Sequence, residues 1–239
     1  MPDEKYLLQV ILNPLRFFAA EFVLPGKPDV PDEKEVLRYL TDPSVDGAAE
    51  SFVKRYKDLM SALDSIIIAS PADELFLDKF IRPIQHAIRS YLLGGYLGCI
   101  SMCGMVSEMS AILIYQMADK SIGNQSFTSE SERHIYGREY EKLGQERRID
   151  VLKAFGFIDL STFESFDKIR QLRNRYLHYL SQDHSGIETD AKECLISATR
   201  ILHFLMKPSV SSGGIAFSPV LVRYLIDHKI MKEKSPNAS

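Results

Sequence analysis

The length, composition and charge of this chain describe an ordinary folded protein. It has 239 residues, of which 45% are hydrophobic and 26% charged, a balance that excludes a disordered chain, a collagen-like repeat and a disulfide miniprotein. The 29 Lys and Arg residues against 32 Asp and Glu give a net charge of −3, which excludes a general polyanion binder of the histone kind. Any contact with nucleic acid would have to come from a local basic patch.

The N-terminal region is the least regular part of the sequence. Prolines at positions 14, 25, 28, 31 and 43 break residues 1–45 into short pieces. One amphipathic helix is predicted over Ala48–Leu63. We treat residues 1–69 as an N-terminal helical extension.

Two helices are predicted after this extension. Ser70 and the proline that follows it supply an N-cap and a first-turn residue, and apolar residues then recur with a helical period as far as Tyr91. Pro83 predicts a kink in this helix, and Gly94 with the next glycine predicts its end. The next helix, from about Tyr96 to Asp119, is apolar on nearly every side, which is typical of the central helix of a bundle.

Four further helices are predicted from capping residues and helix breakers. Two of them open with a Ser-x-x-Glu capping box, in which the serine caps the helix and the glutamate reaches back to the cap. They are a polar helix from Ser129 (box with Glu132) towards Lys142, a short helix from Gly144 to Phe155, a long helix from Thr162 to about Gln182 behind a box of Ser161 and Glu164, and a last long helix over Ile187–Lys207.

The fold class follows from the absence of a strand pattern in the sequence. No segment alternates β-branched and polar residues over a strand's length, so we predict an all-α chain. The core bundle should lie within residues 70–207. Residues 208–239 should form a Ser- and Gly-rich loop, one short helix opening at Ser218-Pro219, and a polar tail.

The location in the cell is predicted from the cysteines, the N-terminus and one uncharged stretch. Cys99, Cys103 and Cys194 are too few and odd in number for a disulfide framework, and the acidic start lacks the positive region of a signal peptide. The stretch Ser90–Ser107 carries no charge and is just long enough to suggest a membrane-spanning helix. Its glycines, serines and cysteines and the Glu108 that follows it favour a buried core helix instead. We therefore expect a cytoplasmic protein with no membrane span.

The Thr162 helix carries the residues that are best able to act in catalysis or binding. At 100° per residue, Arg173 falls inside its apolar arc, and a guanidinium is costly to bury unless it meets an acid, a bound anion or a functional cleft. Beside that arc, Arg170, Asn174 and His178 form a second stripe at i, i+4 and i+8. The structural alternatives are an arginine that extends to solvent along the apolar surface or forms an ion pair, and a histidine whose charge interacts favourably with the dipole at the helix C-terminus.

The same helix is locally basic. Between Ser165 and Gln182 there are four cations, Lys168, Arg170, Arg173 and Arg175, against the single acid Asp167. An excess of this size is common on a solvated helix face, but it is also the kind of patch that a phosphate backbone needs.

The string Arg173-Asn174-Arg175-Tyr176-Leu177-His178 resembles the Arg-x4-6-His motif of the HEPN superfamily. The resemblance extends over about residues 70–207, since the region from Ala87 to Tyr115 is similar to the first helix pair of that superfamily. It implies an up-and-down bundle of four or five helices that dimerises so that two motifs face one cleft. Many such domains are metal-independent endoribonucleases of toxin–antitoxin, defence or RNA-processing systems, while others have lost catalysis and act as nucleotide- or protein-binding modules.

The resemblance assigns roles to named residues. Arg173, His178 and Asn174 are the expected catalytic residues: the arginine clamps the phosphate, the histidine acts as base or acid, and the asparagine orients the imidazole or donates to phosphate. We expect Arg170 and Tyr176 to support the site and Arg175 and Lys168 to bind substrate. Single-stranded RNA, a second copy of the chain and an antitoxin or operon partner protein are the expected partners, with no metal and no cofactor.

Glu108 is a candidate partner for Arg173. Its helical neighbours are Gly104, Met105, Ala111 and Ile112, so its carboxylate lies on an apolar surface where it is expensive unless paired. We expect Glu108 to face Arg173 across the bundle. The alternative is an acid that reaches solvent on its own.

Other candidates favour structural explanations. Cys99 and Cys103 lack further metal ligands nearby and are predicted to be small core residues. His134, Arg138, Lys142, Arg147 and Arg148 alternate with acids, which is typical of a solvated face with, at most, an auxiliary role in RNA binding. A helical interaction domain with a structural Arg173 and His178 is a third hypothesis, beside the nuclease and the silent module.

Overall fold

The computed structural model describes residues 45–63, 76–118, 121–122, 125–126, 128–177, 183, 185–207, 209–211 and 214–227. The chain divides into two compact units, Met1–Tyr56 and Lys57–Ser239. The predicted helix start at Ser70, the predicted helix end at Gln182 and the polar tail from Lys232 lie outside the described residues, and so does His178.

The described part of the chain is all-α, as the sequence predicts. Two short antiparallel pairs, β1 (Ser121–Ile122) with β2 (Gln125–Ser126) and β3 (Ser209–Ser211) with β4 (Gly214–Ala216), close hairpins between helices. A π-helical turn covers Leu77–Ile81 and a 3₁₀ turn covers Tyr140–Lys142. The α-helices are α1 (Val45–Leu63), α2 (Arg82–Leu92), α3 (Tyr96–Met117), α4 (Ser129–Tyr136), α5 (Gln145–Ala154), α6 (Leu160–Leu177), α7 (Ile187–Met206) and α8 (Pro219–Asp227).

Helix α3 is the centre of the unit Lys57–Ser239. It packs against α2, α5, α6 and α7, and its fully buried residues point in several directions around the helix axis, which confirms the prediction of a central helix. By length and composition it is also the one helix in the described ranges that could cross a membrane. Buried core helices pass the same test, and 56% of its most apolar window is buried inside the protein.

The junction from α2 to α3 follows the sequence signals closely. Pro83 lies in the first turn of α2 and has no amide hydrogen to donate, and the π-helical turn directly precedes this helix. The helix thus changes from π-helical to α-helical next to the proline at which the sequence predicts a kink. Gly94 ends the α2 segment with φ +83°, a left-handed conformation that glycine adopts without a steric penalty.

The predicted capping box of α4 is wrong by one residue. Thr128 caps the helix, and its hydroxyl accepts from the backbone N–H of Ser131, whose own side chain accepts from the backbone of Thr128. Glu132 does not reach back to the cap, because its buried carboxylate accepts from the backbone N–H of Tyr140 at 2.9 Å. The helix also ends early, at Tyr136, with Gly137 at φ +78°.

The predicted cap of α6 is wrong in the same way. The Asp159 carboxylate accepts from the backbone N–H of Thr162 at 2.8 Å, so the helix begins before the predicted serine box. An aspartate is at least as good a cap as a serine, and its negative charge also favours the helix N-terminus. These contacts hold the pKa of Asp159 below its usual value.

The C-terminal helix belongs to the same core. Leu221 and Leu225 of α8 are almost completely buried among the residues of the bundle. The backbone N–H of Ser218 donates to the carbonyl of Met206 at 2.9 Å, which holds the start of α8 close to the end of α7. The predicted helix at Ser218-Pro219 is confirmed.

Replacing Asp159 with alanine should destabilise the protein through the α6 cap. At neutral pH we expect Asp159→Ala to lower the free energy of unfolding by about 1 kcal/mol, because one backbone donor loses its acceptor. Urea denaturation measures the change. The control is Ser161→Ala, since Ser161 is exposed and its hydroxyl is not the cap. A larger loss in Ser161→Ala than in Asp159→Ala would contradict the structure.

The same variant predicts a pH dependence. The pKa of Asp159 is lower in the folded protein than in the unfolded chain. Its contribution to the free energy of unfolding is therefore fully present above the pKa of the unfolded state, and it is lost as the pH falls through the pKa of the folded state. The difference in unfolding free energy between the wild type and Asp159→Ala should therefore shrink as the pH is lowered into the acid range. A difference that stays constant down to the acid limit of folding would count against the charged cap.

Candidate functional site around Arg173 and Glu108

Arg173 crosses from α6 to α3 over a glycine. A Cβ atom built at Gly104 would lie 2.8 Å from Cδ of Arg173 and 3.4 Å from its Nε, closer than a side chain tolerates at the first of these atoms. The missing side chain at Gly104 therefore makes a notch in α3 through which the arginine stem passes. One turn further along α3, the notch leads to Glu108.

The predicted pairing of Arg173 with Glu108 is confirmed. Nη1 of Arg173 donates to Oε1 of Glu108, and its second contact is Oε1 of Gln145 at 3.4 Å. The side chains of Arg173 and Glu108 are 29% and 25% exposed, so the pair lies at the edge of the core. Glu108 is thus not an acid that reaches solvent on its own.

Arg148 is a member of this cluster that the sequence analysis missed. Its Nη2 lies 3.8 Å from Oε2 of Glu108, and its Nε donates to the carbonyl of Leu143 at 2.9 Å. With a side chain only 10% exposed, Arg148 is not part of a solvated face, and that prediction is wrong for this residue. The available signal was its spacing, since Arg148 lies one turn before the buried Leu152.

The predicted stripe on α6 is partly described. Arg170 donates to Asp167 at 2.9 and 2.7 Å and lies 3.8 Å from Glu146 of α5. Asn174 follows one turn later and is half-buried. His178 comes directly after the last described residue of α6, so its place in the site stays a prediction.

The other face of α6 is tied to α7. Arg175 donates to Asp190 at 2.9 Å, and the buried Tyr176 hydroxyl donates to the same carboxylate at 2.6 Å. Burial raises the pKa of Tyr176, and the acceptor carboxylate raises it further. Nζ of Lys168 lies 2.7 Å from Oε2 of Glu193, which is a residue of α7. These contacts connect the two helices.

The local basic patch is thus compensated inside the chain. Each of the four cations that the sequence places on α6 meets a carboxylate, and most of these acids come from other helices. A phosphate that approaches this surface would compete with an existing ion pair at each of them. The pairs are Lys168 with Glu193, Arg170 with Asp167 and Glu146, Arg173 with Glu108, and Arg175 with Asp190.

The remaining candidates have structural roles. The three cysteines are free and completely buried between α3 and α7, as predicted. Burial and the neighbouring thiols raise the pKa of Cys103 well above its usual value, so it stays protonated. Within the described residues, no group of three His, Cys, Asp or Glu side chains could hold a metal. His134 and Arg138 are exposed, as expected for a solvated face.

Three clefts in the described part of the chain lie away from Arg173. One of about 890 Å³ lies beside the ends of α3 and α7 and the side of α8, a second is an apolar pocket between α3 and α8, and a third runs between α6 and α7. Arg173 and Glu108 line none of these three. The pair is partly exposed, so a ligand in solution can reach both side chains.

Comparisons with protein-family models, with curated proteins and with solved structures find no match to this chain. The chemistry of the site follows from the residues that form it. Those residues offer one guanidinium that is fixed in place at the surface, a carboxylate beside it, and a second, buried guanidinium behind that carboxylate.

Replacing Gly104 with alanine should displace Arg173. Alanine is the better helix former by about 1 kcal/mol, yet we expect Gly104→Ala to lower the free energy of unfolding by about 1–3 kcal/mol because Cδ of Arg173 occupies the space. In an Arg173→Ala background the same change should be neutral or stabilising. Chemical denaturation of the four proteins measures this cycle.

Gly98→Ala is the matched control for this cycle. Gly98 faces the side chain of Ser90 and has no contact with Arg173, so its substitution should have the same effect in both backgrounds. If Gly104→Ala also had the same effect in both, the notch would not be what positions the arginine.

Proposed function

We propose that this protein is a metal-independent endoribonuclease of the HEPN type, acting as a homodimer on single-stranded RNA. The observation that carries the proposal is the state of Arg173: contacts with Gly104, Glu108 and Gln145 fix its position, and 29% of its side chain remains exposed. A fixed, partly exposed guanidinium is what an enzyme needs to stabilise the charge that develops on a phosphate.

The proposed chemistry requires two more functions. A base takes the proton of the 2′-hydroxyl, whose oxygen attacks the adjacent phosphorus, and an acid gives a proton to the leaving 5′-oxygen. Histidine is the side chain best suited to exchange protons at physiological pH, so His178 serves as base or acid, and Asn174 orients it or donates to the phosphate. Arg173 binds the non-bridging oxygens, on which the negative charge grows.

The dimer is part of this proposal. The partial exposure of Arg173 supports it, since a second copy could cover the site and bring a second motif to the same cleft. The compensated charges of α6 predict weak, salt-sensitive capture of a single RNA strand rather than tight binding. The resemblance of residues 173–178 to the HEPN motif is also the basis for proposing a toxin–antitoxin or defence context, with an antitoxin or operon partner protein.

A second candidate function is favoured by the ion pairs themselves. If Arg173 and the other α6 cations serve only to hold helices together, the protein is a catalytically silent HEPN module that binds a nucleotide or a partner protein. The contacts of Lys168 and Arg175 with α7 support this alternative most directly. The two hypotheses differ in whether the purified protein cleaves RNA.

Incubation of the purified protein with RNA and a chelator separates the two. We expect cleavage by the wild type, a loss of roughly 10²–10⁴-fold in His178→Ala and roughly 10²–10³-fold in Arg173→Ala. Arg147→Ala, which removes an exposed arginine of α5, should cleave like the wild type. Thermal denaturation and size-exclusion chromatography of each variant check the fold and the dimer.

Two results would contradict the nuclease proposal. The first is an absence of cleavage by the wild type, and the second is equal cleavage by the wild type and both variants, which would indicate a contaminant. If Arg173→Ala and His178→Ala lost their fold or their dimer, and the wild type did not cleave, the silent module would be the better description.

A further inference from the structure

The carboxylate of Glu108 contacts two arginines, one on each oxygen. Oε1 accepts from Arg173 of α6, and Oε2 lies 3.8 Å from Nη2 of Arg148 of α5. We propose that Arg148 is a positioning residue that occupies one oxygen of Glu108 and offsets its charge, so that Arg173 keeps a net attraction for a phosphate group. The phosphate as ligand rests on the proposed function, whereas the arrangement of charges does not.

Arg148 is held in place by its own contacts. Its Nε donates to the carbonyl of Leu143 at 2.9 Å, and the hydroxyl of Tyr140 lies 3.2 Å from its backbone carbonyl. A side chain that is 10% exposed cannot turn towards solvent without breaking these contacts. An arginine does not lose its proton in a protein, so the charge of Arg148 is permanent.

The three charges differ in their access to solvent. Arg148 is the most buried, while Glu108 and Arg173 are each exposed by about a quarter, so a ligand reaches Arg173 and Glu108 but not Arg148. A pair of Arg173 and Glu108 alone would be neutral, and an incoming phosphate would be repelled by the carboxylate. With Arg148 included, the three residues carry a net charge of +1.

Among the described residues, the groups that contact these three side chains do not cancel this charge. Gln145, whose Oε1 accepts from Arg173 and whose Nε2 donates to Ser107 at 3.3 Å, is neutral. Arg170 lies against Asp167, and its second acid, Glu146, has a side chain that is 68% exposed, so water and salt screen it. The positive excess is therefore confined to Arg148, Glu108 and Arg173.

The test uses three substitutions in the full-length protein. Arg148→Gln removes the charge, Arg148→Lys keeps the charge but loses the Nε contact with Leu143, and Arg147→Gln removes the exposed arginine next to it as the matched control. The first probe is inorganic pyrophosphate, titrated while the Nε–H signal of Arg173 is followed by NMR. The second probe is a fluorescent single-stranded RNA with 2′-O-methyl groups, which cannot be cleaved by attack of the 2′-oxygen.

We expect Arg148→Gln to weaken the binding of both probes about tenfold, whereas Arg148→Lys and Arg147→Gln stay within about twofold of the wild type. In a Glu108→Gln background, where there is no carboxylate for Arg148 to occupy, Arg148→Gln should weaken binding clearly less than it does in the wild type, because only the direct effect of its charge remains. A purely structural role for Arg148 would instead make both Arg148 substitutions weaken binding alike, in proportion to their loss of stability.

Three results would overturn the inference: no pyrophosphate binding at Arg173 in the wild type, unchanged binding in a folded Arg148→Gln protein, and an undiminished effect of Arg148→Gln in the Glu108→Gln background. If pyrophosphate binds with the expected pattern, the 2′-O-methyl RNA does not bind and unmodified RNA is not cleaved, the charge arrangement stands and the nuclease proposal fails.

Discussion

The carboxylate of Glu108 is the constraint on which the arrangement of α3, α5 and α6 depends. It projects from the central, otherwise uncharged helix, where a partly buried carboxylate is destabilising unless it is paired. Compensation requires a cation that arrives from another helix. Arg173 comes from α6 through the notch at Gly104, and Arg148 comes from α5. One carboxylate therefore connects three helices that also share the hydrophobic core.

The opposite face of α6 is connected to α7 through Asp190 and Glu193. Asp190 accepts from both Arg175 and the buried Tyr176, so it combines an exposed ion pair with a hydrogen bond from the core. Exposed pairs of this kind contribute little to stability, because water and salt screen them. Their larger consequence is for function, because the positive excess of α6 in the sequence is not available as a free patch. What remains for a ligand is concentrated near Arg173.

Sequence reasoning predicted the features that depend on the residue pattern within a single helix. The all-α class, the central position of α3 and the need of Glu108 for a partner all follow from local pattern and from the cost of a buried charge. It was wrong where two acceptors compete: Asp159 and Thr128 cap their helices instead of the predicted serines. It also missed Arg148, because a sequence shows that an arginine lies near an apolar turn but not which distant carboxylate it meets.

Gly104 is the position at which local preference and tertiary placement conflict most clearly. A glycine in the middle of a helix costs about 1 kcal/mol relative to alanine, and nothing in the backbone of α3 requires it, since its φ is not positive. The compensation is that the Arg173 stem lies in the space a methyl group would fill. A merely snorkelling arginine would reach solvent without such a notch. Glycine at position 104 thus lowers the stability of α3 and at the same time leaves the space that positions this guanidinium. Such conflicts between local preference and tertiary structure are expected at functional sites.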